Sequence, residues 1–434
     1  MPYLGELFSD ALIFLFNITG VRFFELFWPF LIFDCGRYLT ADFWVFTRAL
    51  FGRPDLAEED FGRQLFEQNP LISVIIPAHN EEEIIEFTIR SVLEQNLQNL
   101  QIIVVDDGSS DKTNQICRRL AEREPRLSIL HNDQRVGKFS GQNLALNFCR
   151  GEYVIILDSD SSLQRDAFFE ALKKFHDPDV GAVSCNLRAM NSRNNIITRL
   201  QDFEYLTSIS LGRISQAWWG TLFIVSGGYG VFRQEALQNV GGYDVHTGED
   251  GDATIKIRKA GWKIAFAPRS LCLTNVPGSV LSLIRQRLRW DNCLINIPVR
   301  KHGNMYNPFN AGFTWPNFFG GLDNIFFQSV LNFVFFIYLF YLYLIFNEMV
   351  LVTLISVYLV YLVFSILQFT IAFAISDQKS KDIWLLWYLP LVPLYQNFLL
   401  RPVRLISHVG EILFRYTYKV SYIPPWVGRG TTHW

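Results

Sequence analysis

The sequence predicts an α/β domain built on a mostly parallel sheet, with transmembrane helices at both ends. Three observations carry that reading. Residues 71–77, 101–105 and 153–157 are short apolar runs separated by helical periods, and strand–helix alternation of this kind implies parallel pairing. Each run closes on a polar cluster: His79-Asn80-Glu81, Asp106-Asp107-Gly108-Ser109, and Asp158-Ser159-Asp160. In parallel sheets ligands sit beyond the carboxyl ends of the strands, where these clusters fall. Finally, hydrophobic residues make up 50% of the chain and charged residues only 18%, and the charge deficit is concentrated toward the two ends.

Taken in order, residues 11–33 are apolar and aromatic apart from Arg22 and Glu25, long enough for one bilayer crossing of about 20 residues. The two charges are three apart and share a helix face. A pair buried among helices and a pair facing a polar channel are both compatible with the pattern. Residues 37–53 set Arg37, Arg48 and Arg53 among aromatics, the pattern of an amphipathic segment at the cytoplasmic surface. The segment from Val280 to residue 297 is also amphipathic. Residues 325–346 and 350–375 form an expected transmembrane hairpin around Asn347-Glu348, and the lysines at 379 and 381 put the next loop on the cytosolic side. Residues 383–400 are apolar but contain Pro390 and Pro393; they either cross or form a broken re-entrant segment. Arg401, Arg404, Arg415 and Lys419 argue against a full crossing there. The expected division is an N-terminal transmembrane helix (1–36), an amphipathic linker (37–70), a cytosolic α/β domain (71–275), interfacial helices (276–322), a C-terminal transmembrane region (323–400) and a basic amphipathic tail (401–434).

The chain has 434 residues, enough for more than one structural unit. A net charge of −2 gives no general attraction to nucleic acid. Six cysteines are scattered without a C-x-x-C pair, so reduced structural thiols are expected rather than a zinc site or disulfide framework.

The chemistry-bearing residues follow a fixed order. Asp107 comes first, then Asp158 and Asp160, then Asp250 after Glu249, then Gln286-Arg287-Leu288-Arg289-Trp290. This order, with its Q-x-x-R-W pentad, resembles the signature of membrane-embedded, processive family 2 glycosyltransferases. Cellulose, chitin, hyaluronan and poly-N-acetylglucosamine synthases are in that group. The resemblance covers roughly residues 70–300. It implies a Rossmann-like GT-A domain in the cytosol, inverting transfer from a nucleotide sugar, here expected to be a UDP-sugar, and a Mg²⁺ or Mn²⁺ ion.

Each step of that chemistry has a candidate. The loop holding His79 and Glu81 resembles the one that contacts the base, though His79 replaces the aromatic often found there. Asp107 is the expected nucleotide contact; alone it would read as a turn-forming Asp before glycine. In an extended strand end, Asp158 and Asp160 point the same way, and a divalent cation takes one or two carboxylates plus phosphates. By resemblance, Asp160 binds the metal and Asp158 the nucleotide. Lys138 is the expected diphosphate contact, with a solvated loop lysine as the alternative. Asp250, beside Glu249, is the expected general base toward the acceptor hydroxyl, with a helix-starting acidic cluster as the plain alternative; Gly248 stands where the family usually has threonine. Arg289 offers a planar fork for the diphosphate, Trp290 an apolar face for a sugar, and Gln286 a hydrogen bond to the acceptor end. Arg285 and Arg287 are expected to anchor the helix to lipid head groups. Ser226 and Gly227 belong to a glycine-containing loop expected to receive the acceptor. Trp218 and Trp219 either stack on sugar or sit at the membrane interface. Asp291-Asn292 depart from the small residues common at that place.

These expectations give a membrane polysaccharide synthase that threads a β-linked product through its own helices. Single-sugar transfer to a lipid-linked acceptor is the alternative, and a non-catalytic channel or scaffold subunit a third reading that the intact acids oppose. The other expected partners are the nascent polysaccharide, the bilayer, and a second copy or an export protein; nucleic acid is not among them. The sugar itself is not specified.

Overall fold

A computed structural model describes residues 2–52, 55–244, 248–310, 313–346 and 349–418. Arg53, the Asn347-Glu348 turn and the tail with Lys419 lie outside the described residues.

An eight-stranded sheet forms the centre. Its strands are β1 (Ile72–Ala78), β2 (Leu100–Asp107), β3 (Leu127–Asn132), β4 (Tyr153–Leu157), β5 (Ser161–Leu163), β6 (Val180–Ala189), β7 (Tyr229–Arg233) and β8 (Lys263–Thr274). They are ordered β3-β2-β1-β4-β7-β6-β8-β5. β1 pairs in parallel with β2 and β4, and β2 with β3, as the alternating sequence pattern requires. β7 runs antiparallel between β4 and β6, so the sheet is mixed beyond β4. Every residue of β1 and β4 is buried, because helices cover both faces of the sheet. Side chains alternate accordingly: Val74 and Ile76 join one core cluster, while Ile75 joins the other with Val105 and Ile156.

Among the described residues, three helices are long and apolar enough to cross a membrane: Trp315–Ile345, Val350–Ile375 and Lys379–Phe414. The first begins ten residues before the expected start at 325. The third passes through both prolines, as a 3-10 stretch at Ile383–Leu391 and a π-turn at Tyr395–Leu400, and continues into Arg401–Phe414. The prolines and the basic residues therefore do not end this helix, contrary to the expectation of a separate tail.

The N-terminal region also differs from expectation. Residues 11–33 do not form one straight span. Helices Pro2–Asn17 and Gly20–Pro29 meet at a break, and the two arms, Gly5–Asn17 and Gly20–Phe33, are bent by 115°. Thr19 is extended there, and its hydroxyl accepts from the Arg22 N–H, capping the second helix. Arg22 and Glu25 are exposed, and no ion pair joins them among the described residues.

A buried ion cluster ties the sheet to this helical layer. The Arg188 guanidinium, on β6, bonds Asp202 at 2.9 Å and Asp382 at 2.6 Å. Asp382 also accepts from Ser376 at the foot of the Val350–Ile375 helix. The cluster sits where the loop between two long helices meets the domain, so domain and helices are held in one register.

Candidate active site

The loops after β1 and β2 are knitted together. The Asn80 N–H donates to Ser109 Oγ, Glu81 N–H to Thr113 Oγ1 and Glu82 N–H to Asp111 Oδ2. Asn80 takes a left-handed φ of 58°, which asparagine tolerates better than most residues. His79 Nδ1 donates to the Asp107 carbonyl at 2.8 Å. The Asp107 carboxylate is buried and already accepts from Asn132 Nδ2 and from the N–H groups of Val136 and Gly137. In this arrangement Asp107 shapes the 132–137 loop that delivers Lys138.

Lys138 opens the helix Lys138–Leu146. Its Nζ reaches Asp158 Oδ1 at 2.5 Å and the Gly227 carbonyl at 3.1 Å. The Gly227 N–H turns the other way and donates to Asp250 Oδ2 at 3.1 Å. One glycine thus joins the lysine to the carboxylate. A Cβ on residue 227 would lie 3.3 Å from Lys138 Nζ and 3.4 Å from Asp250 Oδ2, so glycine lets these groups crowd around the backbone. Ser226 Oγ accepts from the Gly228 N–H and closes the loop, while Asp158 N–H donates to the Gly228 carbonyl. Glu249 and Asp250 lie in the first turn of the helix Glu249–Lys259, where the helix dipole favours carboxylates.

The charges divide into two groups. Burial alone would lower the Lys138 pKa, but Asp158, Glu249 and Asp250 hold its ammonium well above the usual lysine range. Glu81 is pushed up to about 7, first by burial and then by Asp160 and Asp158. Asp160 is pushed up to about 6 by burial and Asp158. Carboxyls raised by burial and by neighbouring carboxylates fit a divalent cation, whose charge would favour their ionised forms. No cluster of three His, Cys, Asp or Glu groups suited to a metal is present among the described residues. A cation bound by one or two carboxylates and completed by substrate phosphates needs no such cluster.

The pentad lies on the helix Val280–Ile295. Gln286, Arg289, Trp290, Cys293 and Ile297 follow the i, i+3, i+4 spacing of one face. That face meets the start of the Asp250 helix: a Cβ added to Gly248 would stand 2.7 Å from both Cys293 Sγ and Ile297 Cδ1. Gly248 also has φ of 86°. The pentad helix therefore packs directly over the residue before Glu249. Arg289 is exposed and Trp290 40% exposed, while Gln286 Oε1 is buried without a hydrogen-bond partner among the described residues. An acceptor hydroxyl would satisfy that orphan oxygen.

The remaining pentad neighbours face elsewhere. Asp291 pairs with Arg404 Nε at 3.2 Å, and Asn292 Oδ1 accepts from Ser407 Oγ at 2.6 Å. Both lock the pentad helix to Arg401–Phe414 and are packing residues. Arg287 corrects the expectation of a lipid-facing anchor: it is buried and pairs with Glu204 at 2.9 Å. Trp218 packs on Trp44 with ring centroids 4.2 Å apart, which ties it to the helix Gly36–Phe51.

Sequence reasoning passes over Arg213. It donates to Ser184 Oγ at 2.9 Å, and burial pulls its pKa down to about 10 against the field of Asp250. A lone arginine outside any motif gives no local signal of that position.

Residues 73–241 match the family model described as Glycosyl transferase family 2. An N-acetylglucosaminyltransferase of Rhizobium meliloti is 32% identical over 233 residues, covering 51% of this chain and 55% of that protein. A poly-beta-1,6-N-acetyl-D-glucosamine synthase of Staphylococcus aureus is 31% identical over 221 residues, covering 50% of this chain and 53% of that protein. The chain thus spans about half the length of the curated relatives it matches. The solved mannosyltransferase PcManGT from Pyrobaculum calidifontis, in complex with GDP-Man and Mn²⁺, has a TM-score of 0.59 at 20% identity, over 94% of this chain and 99% of that one. It shares the fold, a GT-A-like domain with attached helices. Residues 73–241, which hold the greater part of the sheet and the acids at its strand ends, are thus similar to glycosyl transferase family 2, and they are joined to helices long and apolar enough to cross a membrane.

Proposed function

We propose that the protein transfers a sugar, with inversion, from a UDP-sugar to the end of a growing β-linked polysaccharide, and moves the product across the membrane. The observation that carries this is the Lys138–Gly227–Asp250 connection beneath the pentad helix. It sets a cation for the diphosphate and a carboxylate for the acceptor on opposite sides of one glycine.

Asp250 is the general base: it takes the proton of the acceptor hydroxyl as that oxygen attacks the anomeric carbon. Glu249 adds negative charge beside it. Attack opposite the leaving diphosphate turns an α-linked donor into a β-linked product. Lys138 and Arg289 neutralise the charge that develops on the diphosphate. Asp158, with His79, Glu81 and Asp107 in the surrounding loops, holds the nucleotide. Asp160 would hold a Mg²⁺ or Mn²⁺ ion, which when bound supplies Lewis-acid stabilisation of the leaving phosphates. Ser226, Gly227, Gln286 and Trp290 receive the acceptor. The catalytic unit is residues 71–275 with the pentad segment 276–322, working at the cytosolic face of a cell membrane.

The names of the relatives from Rhizobium and Staphylococcus support N-acetylglucosamine as the first sugar to try. The GDP-Man of the structural neighbour keeps GDP donors in the panel. A second reading, one sugar added to a lipid-linked acceptor, is favoured by the small number of helices able to cross among the described residues, three, or four with the bent N-terminal pair. Product length separates the two. Purified protein in lipid nanodiscs, given labelled UDP-N-acetylglucosamine and Mn²⁺, is expected to make a ladder of long products. A single-sugar product on lipid would overturn the polymer reading.

A further inference from the structure

We propose that Arg287 is a positioning residue that fixes the indole of Trp290 over the acceptor path, with Glu204 and Tyr395 fixing Arg287 in turn. The acceptor role of Trp290 rests on the proposed function; the positioning itself does not.

Trp290 is 40% exposed, and an unsupported ring at that exposure would sample several rotamers. Arg287 lies one turn earlier on the same helix and is only 8% exposed. Its guanidinium carbon is 4.6 Å from the centre of the Trp290 ring, within cation–π range. Its edge is occupied as well: Nη2 donates to Glu204 Oε2 at 2.9 Å. The same carboxylate oxygen accepts from the Tyr395 hydroxyl at 2.8 Å. Tyr395 is buried and belongs to the π-turn of the third long helix. Glu204 ends the helix Ile196–Glu204, which follows β6. The tryptophan's orientation is therefore set jointly by the domain and by a helix able to cross the membrane. Only a planar guanidinium presents a face to an indole and an edge to a carboxylate at once; an ammonium is a point charge and serves one partner well. This is why the position demands arginine, although it is one of the two unspecified places in Q-x-x-R-W.

The test uses the full chain labelled with 5-fluorotryptophan. It has eleven tryptophans, and Trp290→Phe assigns the Trp290 resonance in the ¹⁹F spectrum. Arg287→Lys is expected to shift or broaden that resonance while leaving the melting temperature and UDP binding near wild type. Tyr395→Phe, which removes one hydroxyl, is expected to do the same more weakly. With UDP-N-acetylglucosamine and an N-acetylglucosamine oligosaccharide, Arg287→Lys should raise the acceptor KM about tenfold with the donor KM unchanged, and should cost little more in a Trp290→Ala background. An unmoved Trp290 resonance in Arg287→Lys, or an equal cost with and without Trp290, overturns the proposal. Absence of transfer by the wild-type protein would instead count against the proposed function, and the resonance would still report on positioning.

Discussion

Gly248 shows how one residue fixes the spacing of the candidate site. Its φ of 86°, and the 2.7 Å at which a Cβ there would meet Cys293 and Ile297, exclude a side chain. Gly248→Thr should destabilise the protein by about 2 kcal/mol through backbone strain and overpacking. It should also push the pentad helix away from Asp250, and adding Cys293→Ala should recover part of the melting temperature. The carboxyls Glu81 and Asp160 support a different prediction. They ionise from about 4.5 and 3.8 when unperturbed but near 7 and 6 in the fold. Because the folded protein holds these protons more tightly, their ionisation costs stability as pH rises from about 4 to about 7. A bound cation competes with those protons. Mn²⁺ with UDP should therefore raise the melting temperature more at pH 8 than at pH 6, and Asp160→Ala should remove most of that stabilisation. The acids are legible in the sequence because strand ends and D-x-D spacing are local patterns. The partners of Asp107 are not, since Val136 and Gly137 reach it only after the chain has passed through β3 and back.

Among elements, the pentad helix divides its faces between the proposed acceptor site and packing. Gln286, Arg289 and Trp290 share one face, while Asp291 and Asn292 bind the C-terminal helix. Arg404→Ala leaves the Asp291 carboxylate buried without its cation and should cost roughly 2 kcal/mol, less than a fully buried pair because Arg404 is partly exposed. Asp291→Ala combined with Arg404→Leu should restore most of that loss, as measured by thermal unfolding in detergent. The pentad's helical spacing is readable from its residues. The role of Asp291 is not, because Arg404 lies more than a hundred positions away. The break after Asn17 has a signal in Thr19-Gly20, a capping residue before glycine, but the apolar run around it reads as one span. The sequence leaves open whether residues 383–400 cross, because Pro390 and Pro393 read as breakers, whereas 3-10 and π turns carry the chain past them.

Across the whole molecule, the sheet carries the proposed nucleotide side and the helical layer the proposed acceptor side. The parallel half, β3-β2-β1-β4, follows from strand–helix alternation. The antiparallel β7 and the distant β5, β6 and β8 do not, since their pairing depends on long-range closure rather than local period. Arg188 joins the halves through Asp202 and Asp382. Asp382→Ala should therefore loosen the domain against the long helices, seen as faster proteolysis between residues 375 and 383, with UDP binding retained. The central claim is that Asp250 activates an acceptor for attack on a nucleotide sugar bound beside Lys138. Its most direct test measures nucleoside diphosphate release and sugar incorporation by the purified full chain, with Mn²⁺ and a panel of nucleotide sugars. Wild-type protein should couple the two with at least one donor. Asp250→Asn should still bind UDP but transfer at least about a hundredfold more slowly. No transfer from any donor, or transfer by Asp250→Asn at the wild-type rate, would contradict the account.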